Sequence, residues 1–262
     1  MLVRITVFFL LFNLPLLCYA EGNTYTRSFN KSVRALEMLV YNKIPKITIY
    51  CGATFSGKQI TNANGFVTKK YQNRANKLEW EHVVAAEHFG QGFDEWHNHD
   101  KYKECITISG RACASKLNHK FQYMQADMYN LYPAIGAVNA QRSNMKFAQI
   151  TSLNQSNGLF ENVTLYVQKW AKKDDTCNKL KIERNKIEPP DRAKGIVARS
   201  YLYMADTYRV YRLSSSDKKL FKTWNKEYPV TKDECKRTKI IKRIQHSTNR
   251  IVQEACINLQ LW

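Results

Sequence analysis

The chain has 262 residues, 44% of them hydrophobic, enough to pack a core in one sizeable domain or two small ones. Lys and Arg number 41 against 22 Asp and Glu, a formal charge of +19 spread along the chain rather than gathered in a tail. Charge so distributed points to an anionic partner (nucleic acid, an anionic membrane surface or a polyanionic glycan) and sets aside a basic surface kept for solubility alone.

Residues 1–20 read as a secretory signal peptide: Arg4 as a short positive region, an apolar run from Ile5 to Leu17, then Cys18-Tyr19-Ala20 with small residues at −3 and −1 before Glu21. The run is too short to span a bilayer comfortably, and a lipid anchor at Cys18 is disfavoured by the bulk of Leu17. The mature domain is therefore expected over 21–262, exported and without stable membrane association. Residues 27–43 have helical spacing, with Phe29, Val33, Leu36 and Leu39 on one stripe and Ser28 as cap. Ile47–Cys51 favours a strand, Gly52, Gly57 and 62–65 mark loops, and Leu78–Val84 favours a second strand. Residues 85–110 are polar and irregular. A helix is expected from Lys116 to Met128, running up to Asn130 and limited by Tyr132-Pro133. Residues 134–160 read as loop with short elements, and 177–188 alternate around Leu180 and Ile182. After Pro189-Pro190, Asp191 can cap a helix over 192–208, and a last helix lies near 231–245. With no repeat, low-complexity segment or linker, the pattern is that of one α+β domain.

Six cysteines remain beyond the leader: Cys51, Cys105, Cys113, Cys177, Cys235 and Cys256. An even count in an exported chain implies disulfides, and the absence of a CxxC pair argues against a zinc ribbon. Cys105–Cys113 and Cys235–Cys256 are the natural short loops, leaving Cys51–Cys177 as a long staple.

Metal-assisted hydrolysis of a phosphodiester needs a base for water, a divalent ion, a cation on the phosphate and a basic groove. His82 is the candidate base, because a neutral imidazole takes a proton if its other nitrogen donates to a backbone carbonyl. Glu81 offers a hard carboxylate oxygen and Asn130 a neutral amide oxygen, which suits Mg²⁺, with Mn²⁺ or Ca²⁺ as substitutes. Arg111 can clamp a phosphate bidentately. Each has a bland alternative: an exposed strand edge for Glu81-His82, a helix C-terminal residue for Asn130, a solvated charge for Arg111. Neighbours on a regular strand point to opposite faces, so Glu81 and His82 share one site only if the strand ends or bulges there. His97 and His99 read as surface histidines, His88 and His119 as structural or solvated, and Trp80 and Tyr132 as core residues that flank the site.

Together these motifs resemble the bacterial endonuclease I family, exported DNA-degrading nucleases of the ββα-metal (His-Me finger) class. The family's Glu-Trp-Glu-His-Val-Val-Pro-Ala is matched by Glu79–Ala86, with Ala85 for Pro. Gly-Arg-x-x-Cys resembles Gly110–Cys113, one residue shorter. Glu-Ala-Asp-Leu-His-Asn-Leu-x-Pro-Ala-Ile-Gly is matched by Gln125–Gly136, Val-Asn-Gly-Asp-Arg-Ser-Asn by Val138–Asn144, and Ala-Arg-x-Tyr-x-Tyr-Met by Ala198–Met204. The resemblance extends from about residue 28 to Cys256. It implies a ββα-metal core, His82 as general base, Glu81 and Asn130 as Mg²⁺ ligands, Arg111 on the scissile phosphate and 5′-phosphate products. The expected chain is a monomer acting on double- or single-stranded DNA through the backbone, in the periplasm or outside the cell, with RNA as a further substrate because backbone readout discriminates poorly against the 2′-OH. The rival class is a noncatalytic polyanion-binding module, which needs the charge and the cysteines but not the Glu81, His82 and Asn130 set.

Overall fold

The computed structural model describes residues 22–150, 181–183 and 185–262; the expected leader and Cys177 lie outside them. Ser28 caps α1 (Phe29–Ala35), its hydroxyl accepting from the Lys31 N–H at 3.3 Å. The chain then widens into a π-turn over Leu36–Val40, closed by Tyr41 N–H to the Leu36 carbonyl at 2.8 Å. This turn breaks the expected stripe. A wider turn shifts the helical phase, so Val40 enters the core and Leu39 is 46% exposed.

Ile47–Cys51 is not a strand. Ile47 makes one isolated bridge to Thr54, and the next residues fold back, with Thr48 N–H on the Ala53 carbonyl (2.8 Å) and Ile49 N–H on the Pro133 carbonyl (2.8 Å). Their β-prone side chains serve burial instead, since Ile49, Tyr50 and Cys51 are all buried. A small hairpin follows, β1 (Thr54–Ser56) with β2 (Gln59–Asn62), then the short α2 (Gln72–Ala75).

β3 (Leu78–His82) carries the site. After it come α3 (Ala86–Gly90), α4 (Asp94–His97) and two 3-10 turns, His99–Lys101 and Lys103–Cys105. The helix expected over 116–128 is two helices, α5 (Gly110–Leu117) and α6 (His119–Gln125). Asn118 separates them because its side chain accepts from Phe121 N–H at 3.0 Å and caps α6. Asn130 closes the 3-10 turn Met128–Asn130, not an α-helix, and β4 (Leu131–Ile135) follows directly.

β3 and β4 pair antiparallel in unbroken register, from Leu78 opposite Ile135 to His82 opposite Leu131. The irregularity expected at Glu81-His82 is therefore a strand end and not a bulge. α7 (Gly136–Arg142) starts where β4 stops. Farther along, β5 (Lys146–Phe147), β6 (Lys181–Glu183) and β7 (Lys186–Glu188) form a sheet in the order β5-β7-β6.

α8 (Asp191–Thr207) takes Pro190 as its N-cap, with Asp191 in its first turn rather than capping it. α9 (Ser215–Glu227), α10 (Lys232–Gln245) and α11 (Arg250–Asn258) complete the described chain. The strands lie in separate small sheets among helices, so the class is α+β. α8 is the central helix: Val197, Ala198, Tyr201 and Met204 are buried in the main core, into which α9 sends Phe221 and Trp224.

Two disulfides staple this arrangement. Cys105–Cys113 (Cα–Cα 5.4 Å) ties the second 3-10 turn to α5, and Cys235–Cys256 (5.8 Å) ties α10 to α11. Cys51 is also disulfide-bonded; its predicted partner, Cys177, is outside the described residues. No described helix is long and apolar enough to cross a membrane.

Candidate active site

An open cleft of about 770 Å³ lies at the end of β3, and Glu81, His82 and Arg111 all line it. His82, the last residue of the strand, is partly buried. Its ring stacks on Phe29 (centroids 5.2 Å) and faces Phe89 at 6.3 Å. Nε2 lies 2.7 Å from the Gln125 carbonyl, which can only accept, so Nε2 carries the proton and Nδ1 keeps its lone pair. Burial lowers the imidazole pKa from 6.5 to about 4; the Gln125 contact opposes the fall, and Arg111 and Arg142 add to it. The ring is neutral at pH 7, the state a base requires.

Glu81 is 3% exposed. Its Oε1 accepts from the Tyr50 hydroxyl at 2.8 Å and pairs with Arg142 Nη1 at 3.1 Å. Burial raises the carboxyl pKa, while Arg142 and Tyr50 pull it back. On Arg142 the balance favours charge: burial opposes ionisation, and Glu81 with two tyrosines more than offsets it. The pair is thus an ion pair, made through Oε1, and Glu81 also lines the cleft.

Asn130 does not line the cleft. It is fully buried, and its amide is used at both ends on Val84, accepting from the backbone N–H at 2.7 Å and donating to the carbonyl at 2.9 Å. Those bonds fix the bend just beyond His82. Asn139 of α7 does line the cleft, as do the amides of Gln91 and Asn144. Its Nδ2 donates to Glu79 Oε2 at 2.9 Å. A carboxylate only accepts, so this bond turns the Asn139 carbonyl oxygen away from Glu79. Glu79 is itself held by a two-pronged bond from Arg74, one prong being Nε to Oε1 at 2.7 Å. Gly136 lets α7 start this close, since a Cβ there would overlap the Glu79 carboxylate. Asn139 lies within the sequence run Val138–Asn144, nine positions beyond Asn130.

Arg111 sits in the first turn of α5 and is exposed. Gly110 precedes it against the Trp96 carbonyl, where a Cβ would collide, and Cys113 locks the turn two residues later. Arg74 and Arg142 also line the cleft, but their guanidinium groups are committed to carboxylates. Arg111 makes no hydrogen bond among the described residues, so its donors are open to a phosphate. His97 and His99 are also on the cleft wall, not merely on the surface, because α4 and the turn after it fold back against the start of α5. Trp80 both packs, edge-on to Tyr41 at 5.4 Å, and lines the cleft.

The cleft wall carries the carboxylates of Glu81 and Glu87, the amides of Gln91, Asn139 and Asn144 and the imidazoles of His82, His97 and His99. Among the described residues there is no group of three or more His, Cys, Asp or Glu that could hold a metal. With no such cluster, the oxygens of Glu81 and Asn139 fit a hard, largely hydrated ion such as Mg²⁺, which needs few protein ligands, better than a zinc-type ion.

Behind the cleft, His88 lies 2.8 Å from the Asn144 carbonyl through Nε2 and 3.3 Å from the Tyr201 hydroxyl through Nδ1. Burial lowers its pKa to about 4, and Arg142 adds to the fall. The unfolded chain, with an ordinary histidine near 6.5, binds the proton first. The His88 contribution is therefore intact above pH 6.5 and is lost as pH falls toward 4. Thermal unfolding in chelator should show the melting temperature falling between pH 7 and 4.5, and His88→Gln should flatten that slope.

Comparison with known proteins places the chain among the endonucleases. The Endonuclease I family model matches residues 19–256. The chain belongs to that family. It is 32% identical over 263 residues to "Endonuclease-1" of Buchnera aphidicola subsp. Baizongia pistaciae, covering 98% of this chain and 96% of the relative. It is 32% identical over 219 residues to a "Periplasmic deoxyribonuclease" of Aeromonas hydrophila (80% of this chain, 79% of the relative). An "Extracellular deoxyribonuclease" of the same organism is 31% identical over 220 residues (80% and 82%).

Proposed function

We propose that this chain is an exported endonuclease, periplasmic or extracellular as its relatives are named, that hydrolyses DNA phosphodiester bonds without reading sequence. The observation that carries the reading is His82, neutral and donating backward to Gln125, with Nδ1 free for water on a cleft shared with Glu81, Asn139 and Arg111. His82 Nδ1 takes the proton of water as its oxygen attacks phosphorus. The bond to the 3′ oxygen breaks and that oxygen takes a proton from a second water of the open cleft, giving a 3′-hydroxyl and a 5′-phosphate. Arg111 holds two non-bridging oxygens and gains strength as charge builds on them. Glu81 and Asn139 would hold Mg²⁺, which when bound supplies charge stabilisation for the leaving oxygen. Asn139 takes the place expected for Asn130, because the Asn130 amide is spent on Val84. β3, β4 and α7 correspond to the two strands and helix of a ββα-metal core, the helix bringing Asn139 against Glu79 of the first strand.

Binding through phosphates alone makes the reading salt-sensitive and tolerant of single strands and RNA. The test is nicking of supercoiled plasmid by the mature protein. Cleavage with Mg²⁺ that EDTA abolishes is expected, and DNA binding without nicking would return the chain to the noncatalytic class. Asn139→Ala should lose most of the cleavage yet melt near wild type. Asn130→Ala should melt earlier, because Val84 N–H and C=O are left buried and unpaired at about 1–3 kcal/mol each. The opposite pattern would restore Asn130 as the ligand.

A further inference from the structure

A second cavity of about 740 Å³ lies between the C-terminal part of α8, the 208–214 loop and the start of α9. Its charged lining is Arg209, Arg212, Lys218 and Lys222 against Asp206 alone, all five exposed. Its floor is apolar, with Leu202 and Leu213 among the lining residues. This groove adjoins the catalytic cleft. Val210, between two of the lining residues, packs directly on Gly92, next to the cleft residue Gln91. Beneath this ridge the buried Tyr201 ring lies between Tyr211, a lining residue of the groove (6.5 Å), and His88 behind the cleft (6.4 Å).

We infer that this groove is a distal subsite for the substrate, gripping phosphates of the nucleic-acid strand that has already passed through the catalytic cleft and over the Val210 ridge. The inference rests on the nuclease reading above. A concave surface with this imbalance of charge fits a polyanion, and the shared ridge puts that polyanion in line with the one being cut. Sugar rings can rest on the apolar floor while the rim cations take the phosphates.

The test uses the full mature protein and a series of duplexes from about 6 to about 40 base pairs, roughly 20 to 140 Å at ~3.4 Å per pair. Binding is followed by anisotropy in EDTA, and KM and kcat with Mg²⁺. The variant is Arg212→Ala/Lys218→Ala/Lys222→Ala; its control, Lys232→Ala/Lys236→Ala/Arg243→Ala on α10, removes the same charge from residues that line neither cavity. For wild type, Kd and KM should fall as duplexes lengthen. The groove variant should match wild type on the shortest duplex and lose that fall. Its KM on the longest should rise about tenfold at unchanged kcat, and its salt slope should become shallower by about 2–3. A groove variant that follows the wild-type length curve, or a control that loses as much, overturns the proposal. Wild type that binds every duplex and cleaves none would sink the nuclease reading instead, and the binding curves would still decide on the groove.

Discussion

His82→Ala is expected to cut the cleavage rate by about 10²–10⁴-fold, the usual worth of a positioned general base, while DNA binding and folding survive. Binding should survive because, among the described residues, the open cation on the cleft wall is Arg111, not His82. Folding should survive because His82 has one side-chain hydrogen bond, to the Gln125 carbonyl, and sits at a strand end where a smaller side chain leaves the β3–β4 ladder intact. Plasmid nicking measured beside anisotropy separates the two effects. Cleavage by His82→Ala at the wild-type rate would remove His82 from the chemistry. His82→Gln sharpens the result, since an amide can keep a donor toward Gln125 but is a poor base, so the rate should stay low. Full activity in His82→Gln would mean that the imidazole only shapes the cleft.

What could be read from the sequence was local chemistry. Glu81, His82 and Arg111 each stand in a run whose neighbours announce a strand end or a tight turn, and all three line the cleft. What could not be read was how tertiary contacts spend functional groups. Asn130 and Asn139 are the same residue type nine positions apart; only the fold buries one amide against Val84 and sets the other beside Glu79 on the cleft wall. Ile47–Cys51 has strand composition, but its hydrogen bonds go to Ala53 and Pro133, so burial rather than a ladder uses those side chains. The stripe through Leu39 failed because a π-turn changes the period mid-helix. Arg142 stands in the matched run Val138–Asn144, but its buried role was not legible, because among 41 basic residues any single arginine reads as a surface charge.

Arg142→Met should be the most damaging change to both stability and activity. Arg142 is 1% exposed and holds the end of β3 from beneath. Nη1 donates to the His82 carbonyl at 2.9 Å and pairs with Glu81 at 3.1 Å, Nη2 donates to the Val83 carbonyl at 2.5 Å, and the guanidinium lies 4.8 Å over the Phe147 ring. Removing it strands a buried carboxylate and two carbonyls at once. Breaking a buried pair from one side costs about 3–5 kcal/mol, a large part of the roughly 5–15 kcal/mol a domain has. In a chain of this size that is a fall of about 6–20 °C in melting temperature. Activity should fall further than the loss of folded protein explains, because Glu81 and His82 lose their common anchor. A double-mutant cycle distinguishes anchor from bulk. Glu81→Leu/Arg142→Met leaves no buried charge, so it should melt above Arg142→Met alone, yet it should stay inactive because the Glu81 oxygens are gone. If Arg142→Met costs under about 1 kcal/mol and still cleaves, the strand end is held by Asn130 and the β4 ladder, and the ion pair is incidental to the site.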